Sequence, residues 1–312
     1  MAEKLNRKLL KRLAAFLVSA VILYVIFSRI DLDAFGRQFA AMNWRWFGLG
    51  LLMFLPVYVI RPLLVRILLA ERIGFADSFG AVLAGSSLSM ILPSKGGDLA
   101  KGYFVHRLTG IGLKTCFSAV ILERVLDVTA LTLLMMAGLS VLGGGGAYVS
   151  GAWAGGGAVL GAAAFYFLVH LTGGTDSWGL RVFRRLPKIS GFIDESRDFV
   201  RGVFRSRRIV KISALSLILW AVHVSQFYFF FQALGFQGPA IAILAYVPAA
   251  VFIGLLPVTI AGIGTRDLAL ILLFAPWAPA ELMAGVALLS HLRYLLPGLV
   301  GIAFSSRYIA NA

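Results

Sequence analysis

Leu92-Pro93-Ser94-Lys95-Gly96-Gly97-Asp98-Leu99-Ala100 and Leu256-Pro257-Val258-Thr259-Ile260-Ala261-Gly262-Ile263-Gly264-Thr265-Arg266-Asp267-Leu268-Ala269 decide how this chain is read. Each stretch follows a short apolar run and opens on a Leu-Pro pair. Glycines, a cation and an Asp-Leu-Ala triplet then stand where a spanning helix should continue. In hydrocarbon, backbone that leaves the helix is tolerated only where protein buries it or where it lines a wet cavity. One such break in each half predicts a duplicated unit whose two breaks form the substrate site.

The rest of the composition places these breaks in a membrane. With 60% hydrophobic and 14% charged residues and a mean hydropathy of +0.89 over 312 residues, the chain is too apolar for an ordinary soluble domain. The net charge of +15 does not point to nucleic acid, because the cations flank apolar runs and no soluble basic fold remains once the spans are removed. There they anchor topology and meet anionic lipid headgroups. The lone Cys116 excludes an intramolecular disulfide.

The first apolar run, Leu13 to Phe27, follows Lys4, Arg7, Lys8, Lys11 and Arg12. It has no small-residue cleavage site, and Ser28-Arg29-Ile30-Asp31 closes it, so it reads as an uncleaved span with a cytoplasmic N-terminus. The expected fold is an all-α polytopic membrane protein, a single transmembrane domain over 1–312 with half-repeats at about 1–142 and 153–312. About six full spans are expected, at 9–28, 46–69, 115–142, 153–171, 211–234 and 281–304. The turns near 143–152, 235–240 and 276–280 contain no Lys or Arg, whereas 172–211 contains ten, which puts the former outside and the latter inside. Shorter runs at 79–92, 240–256 and 268–275 then dip in and return, as two re-entrant broken-helix hairpins from opposite faces in an inverted repeat. Both termini are expected to be cytoplasmic, in a cell inner membrane. Arg29, Arg37 and Arg45 run against the charge rule, since they fall in an outside loop balanced only by Asp31 and Asp33.

Pro93 ends one half-helix, the pair Gly96-Gly97 allows a turn, and Asp98 or Ser94 caps a second half-helix. Free N–H groups at such a start, with Lys95, Lys101 and Arg107 nearby, suit a phosphate headgroup; the alternative is an inner-face loop resting on lipid phosphates. In the third span, Glu123, Arg124 and Asp127 lie roughly 9 to 15 Å deep at 1.5 Å per residue, too deep for unpaired charges. They carry either a structural ion pair to Lys101 or Arg107, or a transport role. In the second break, unwound backbone at Gly262 and Gly264 precedes a half-helix capped by Thr265, with Arg266 meeting an anion and Asp267 orienting it. The last span adds His291 and Arg293, the latter pairing with Asp267 or Glu123, or reaching to the interface. Asp31-Leu32-Asp33 reads as a helix cap. The segment 172–211, rich in arginine and apolar residues from Arg181 to Ile209, suits amphipathic helices on the inner leaflet or a solvated basic linker. Gly143 to Gly146 and Gly155 to Gly157 read as a turn and as close packing. His106, His170, His223 and His291 have no metal-ligand spacing, and no catalytic motif, metal or cofactor is expected.

The run from Pro93 through Asp127, with Leu122-Glu123-Arg124-Val125-Leu126-Asp127, the segment Leu256 to Asp267 and an Ile-Asp-Leu after the first span resemble the membrane domain of lysylphosphatidylglycerol synthases and its stand-alone relatives. Lys95 departs from the arginine or small residue of many relatives. The resemblance implies a flippase-like translocator that moves a phospholipid or aminoacyl-phospholipid between leaflets. The family's cytosolic aminoacyl-transferase part has no counterpart before Ala312, so an enzyme is not expected. The alternatives are an intramembrane transferase with Glu123 or Asp98 as base, and a scaffold presenting its basic stretch to a separate lipid-modifying enzyme.

Overall fold

The computed structural model describes residues 2–91, 96–143, 147–172, 187–255, 259 and 262–310, and every regular element among them is helical. In chain order these are α1 (Ala2–Arg29), α2 (Leu32–Ala40), α3 (Trp44–Leu52), α4 (Phe54–Leu68), α5 (Phe75–Ile91), α6 (Gly96–Thr109) and α7 (Leu113–Leu142). There follow α8 (Ala147–Thr172), α9 (Pro187–Arg205), α10 (Arg208–Ala233), α11 (Ala240–Leu255), α12 (Thr265–Phe274) and α13 (Ala280–Ala310).

Four of the expected six spans meet the length and apolarity of a membrane crossing among the described residues: Trp44–Leu68, Leu113–Leu142, Arg208–Ala233 and Ala280–Ser305. A fifth is reached if α1 and α2 count as one bent span, since Leu32–Ala40 turns 88° from Ala15–Arg29. The turn is held by Asp31, whose carboxylate caps α2 by accepting from the Asp33 and Ala34 N–H groups. Its own N–H donates to Glu281 of α13 at 3.1 Å. The span near 46–69 is two consecutive helices, α3 and α4, parted at Met53. The run 153–171 falls within α8, which carries no Asp, Glu, Lys or Arg.

The two interrupted runs fold as helical hairpins. At 1.5 Å per residue, α5 and α11 are each about 25 Å long, short of the ~30 Å hydrocarbon core. The second helix of each hairpin, α6 or α12, returns alongside the first. The partners lie backbone to backbone at Gly85 against Gly97 and at Gly254 against Gly262. The packing of the hairpins is reciprocal. α5 of the first lies along α13, the helix that follows the second; α11 of the second lies along α7, the helix that follows the first. Both contacts are closed by a glycine: a β-carbon on Gly301 would collide with the Leu83 carbonyl, and one on Gly138 with the Ala245 backbone. Lipid gives helices no hydrophobic reason to associate, so such backbone proximity supplies the dispersion contact that holds them.

Around this frame, Phe227, Phe230, Phe231, Phe236 and Phe274 form an aromatic core between α10 and α12. The basic segment is more than a linker. Its α9 buries Val200 and Val203 among Leu64, Leu68, Leu122 and Ile212. Arg201 caps the end of α8 through the His170 and Leu171 carbonyls, and Arg208 caps α4 through those of Ile67 and Leu68. Residues 173–186, including Arg181, lie outside the described residues.

Candidate functional site

Both hairpins open onto one cavity of about 140 Å³. That is far above the ~15 Å³ one water needs, so polar matter fits inside. The first hairpin supplies Gly85, Ser86, Ser89, Asp98 and Lys101, and the second Val251, Gly254, Leu255, Thr259, Gly262 and Arg266. Between them stand Tyr58 and Arg61 of α4, Arg124 of α7, Trp220 and His223 of α10, and Arg293 and Tyr294 of α13.

The α6–α7 side is a closed ionic network. Lys101, 4% exposed, donates to Glu123 Oε2 at 2.6 Å, and Arg124 donates to Glu123 Oε1 at 3.1 Å. Arg124 also meets Asp127 at 3.0 Å and Asp98 at 3.7 Å, while Arg61 approaches Glu123 at 3.8 Å and Asp127 at 4.0 Å. Among the described residues neither Asp127 oxygen has a hydrogen bond of good geometry, so the Arg124–Asp127 contact is ionic rather than directional. Arg61, Lys101 and Arg124 balance Asp98, Glu123 and Asp127. The pairing follows from helix geometry: Asp98 and Lys101 are three apart on α6, Glu123 and Asp127 four apart on α7, and each pair shares a face.

The α12–α13 side is not balanced. Gly262 and Gly264 have φ of +77° and +94°, a backbone region open to glycine, and this turn starts α12. Its cap is not Thr265. Gly264 is the capping residue, and Asp267 reaches back to accept the Gly264 N–H at 2.9 Å, because a carboxylate in the first turn spans that gap; Thr265 instead meets Thr259 at 2.8 Å. Asp267 also accepts from His291 Nε2 at 3.1 Å and lies 3.5 Å from Arg266. Arg266 donates to His291 Nδ1 at 2.8 Å. A guanidinium has no acceptor, so Nδ1 carries the lone pair and Nε2 the proton: the imidazole is neutral in this arrangement. Arg266 lies 5.4 Å over the Tyr294 ring, and Arg293 lies 5.0 Å over Phe227 rather than pairing with Asp267 or Glu123. Among the described residues, Arg266 Nε and Nη1, Arg293 Nε and Nη1, and Trp220 Nε1 are buried donors with no hydrogen-bond partner.

Of the residues singled out in the sequence, Asp98, Lys101, Arg124, Gly262, Arg266 and Arg293 line the cavity. Glu123, Asp127, Asp267 and His291 stand behind them as partners. Gly97 packs on Gly85 and Ser89, Gly264 on Ile22 of α1, and Gly96 begins α6. Arg107 is not among the lining residues; it lies in the last turn of α6. Lys95 lies outside the described residues, as do Ser94 and the two break prolines. Sequence reading missed Arg61, Tyr58, Trp220, His223 and Tyr294. Arg61 carried a usable signal, a cation about 10 Å inside the end of its span at Leu68.

A model of the lysylphosphatidylglycerol synthase TM region matches residues 12–301. The chain belongs to that family. It is also similar to the UPF0104 membrane protein MJ1595 of Methanocaldococcus jannaschii, with 26% identity over 94% of this chain and 94% of the relative. This is a multi-pass membrane protein of that family, with the interrupted helices at its centre.

Proposed function

We propose that the protein is a lipid translocator, flippase-like, which passes a phospholipid or aminoacyl-phospholipid headgroup between leaflets through the central cavity while the acyl chains stay in the bilayer. The observation that carries this reading is the unequal charge of that cavity. Five cations line it against one carboxylate, and counting the carboxylates behind them leaves one positive charge over among the described residues. The surplus sits where Arg266 and Arg293 have unpaired donors, and a guanidinium is the side chain that best matches phosphate oxygens. Two hairpins in an inverted repeat, reaching the cavity from opposite faces of an inner membrane with both termini cytoplasmic, give the headgroup a path to either side. The reciprocal packing of α5 on α13 and α11 on α7 supports that repeat.

The test is reconstitution into liposomes with headgroup-labelled lipids, quenched chemically from outside. Wild-type protein is expected to expose inner-leaflet label, and Arg266→Ala and Glu123→Ala to slow it. Quenching equal to that of protein-free vesicles overturns the reading. A chemically altered headgroup would indicate an intramembrane transferase. Loss of function on removing the charge of Arg181 to Arg208, with Arg266→Ala active, would indicate a scaffold for a separate enzyme.

A further inference from the structure

A second recess lies on the outer face of α3 and the start of α4, about 540 Å³ in volume and lined by Trp44, Arg45, Gly48, Leu49, Leu52 and Leu55. Its side chains face away from the protein core: Trp44 is 68% exposed and Leu55 66%. From Trp44 to Leu55 the chain rises about 16 Å, so the recess is about as long as one leaflet of a ~30 Å hydrocarbon core is thick. At its shallow end stand an indole and a guanidinium, the pair of groups suited to headgroup level. At its deep end stands Phe54, which also lines the central cavity beside Val57, Tyr58 and Arg61. One side chain thus forms a wall common to both spaces.

Two details favour a lipid as the occupant. Arg45 stands against the charge pattern of the chain and has no carboxylate within ion-pair distance among the described residues, whereas Arg37, in the same loop region, meets Asp31 at 3.9 Å. A phosphate supplies the missing partner. Gly48 has open space where a β-carbon would stand, so its lack of a side chain deepens the recess rather than easing a helix contact.

We propose that this groove is a binding site for one phospholipid of the leaflet at the Trp44 end, with its phosphate on Arg45 and one acyl chain along Gly48 to Leu55. Phe54 separates this waiting lipid from the headgroup cavity. Occupancy of the groove is independent of the translocator reading, and the role of Phe54 as a gate rests on it.

The experiment measures lipid retained by purified protein in native mass spectrometry with added phosphatidylglycerol, alongside vesicle translocation. Each groove variant is made in the wild type and in an Arg266→Ala background, which weakens the central site so that retained lipid reports the groove. Gly48→Trp places an indole in the groove from a position where a β-carbon meets open space, and Arg45→Gln removes the phosphate partner. Either is expected to lower retention at least about tenfold, the loss of a charge-assisted contact or of the groove itself. Phe54→Ala is expected to keep the lipid and speed translocation. Unchanged retention in a Gly48→Trp protein that unfolds like wild type overturns the proposal. So does conversion of a wild-type dimer to monomer by Gly48→Trp, which would make the groove an interface between copies. Retention lost in both groove variants while wild type translocates nothing would uphold the groove and sink the translocator reading.

Discussion

Exchange of Lys101 for methionine isolates the tightest contact of the ionic network. Glu123 is 2% exposed and faces three cations, at 2.6 Å from Lys101, 3.1 Å from Arg124 and 3.8 Å from Arg61. Weighted by inverse distance, Lys101 supplies about two-fifths of that attraction. Removing the sole partner of a buried charge costs about 3–5 kcal/mol. With some three-fifths of the attraction left, Lys101→Met is expected to cost about 2 kcal/mol, roughly 3 °C of apparent Tm in detergent for a chain of this size. Glu123→Gln, which strips Lys101 of its carboxylate, is expected to cost a similar amount. The double variant restores balance, with Arg61 and Arg124 facing Asp98 and Asp127. It is expected to be at least about 1 kcal/mol more stable than the sum of the single losses, beyond the ~0.5 kcal/mol scatter of independent sites. Thermal unfolding of the four proteins measures this coupling, and additive losses would refute the network as a shared balance of charge.

Translocation should rank the two sides of the cavity differently from stability. Arg266→Ala removes two of the unpaired donors and is expected to slow headgroup quenching more than Lys101→Met does; the opposite order would put anion recognition at the first hairpin. Gly301→Leu drives a side chain into the Leu83 carbonyl and is expected to destabilise by about 3 kcal/mol or more, while Gly151→Leu, with open space on α8, leaves unfolding unchanged. Backbone N–H groups of Ala34 and Asp33 hold the Asp31 carboxyl below its ordinary value. Its contribution to the α1–α2 turn is therefore complete above the ordinary carboxylate pKa and lost as pH falls through the lowered folded value. Asp31→Asn, which keeps an acceptor but cannot titrate, should flatten the acid limb of a fluorescence titration from about pH 6 to about pH 2.

The hairpins were legible because proline and paired glycines interrupt apolar runs too short to cross, and hydrocarbon leaves such a break few places to go. Glu123, Arg124 and Asp127 were legible by depth, and Arg266 by its place at the start of the half-helix after the Gly262 and Gly264 break. The same reasoning extends to Arg61, which lies about 10 Å inside the end of its span at Leu68. Arg107 was avoidable too: six residues from Lys101 on a helix is a rotation of about 240°, so the two cannot share a face. Partner choice lay beyond the sequence. That Arg266 bonds to His291 and that Arg293 rests on Phe227 depend on how α12, α13 and α10 meet, and spacing gives depth and facing but no neighbour.

The reciprocal packing explains why two clusters of opposite character share one cavity. Each hairpin rests on the helix that follows the other, so neither half can close a site alone, and the charged turns of α7 and α13 are brought to the same space from both sides. On the α7 side cations and carboxylates are equal in number, so the helix carries Glu123, Arg124 and Asp127 at depth as a charge-balanced cluster. On the α13 side His291 bridges Asp267 and Arg266 as a neutral group, so it adds no positive charge of its own, and among the described residues one carboxylate answers two guanidiniums. A buried guanidinium without an acceptor is costly unless something brings one. The cavity beside it has room for such an acceptor, and under the proposed translocator reading the headgroup phosphate would supply it.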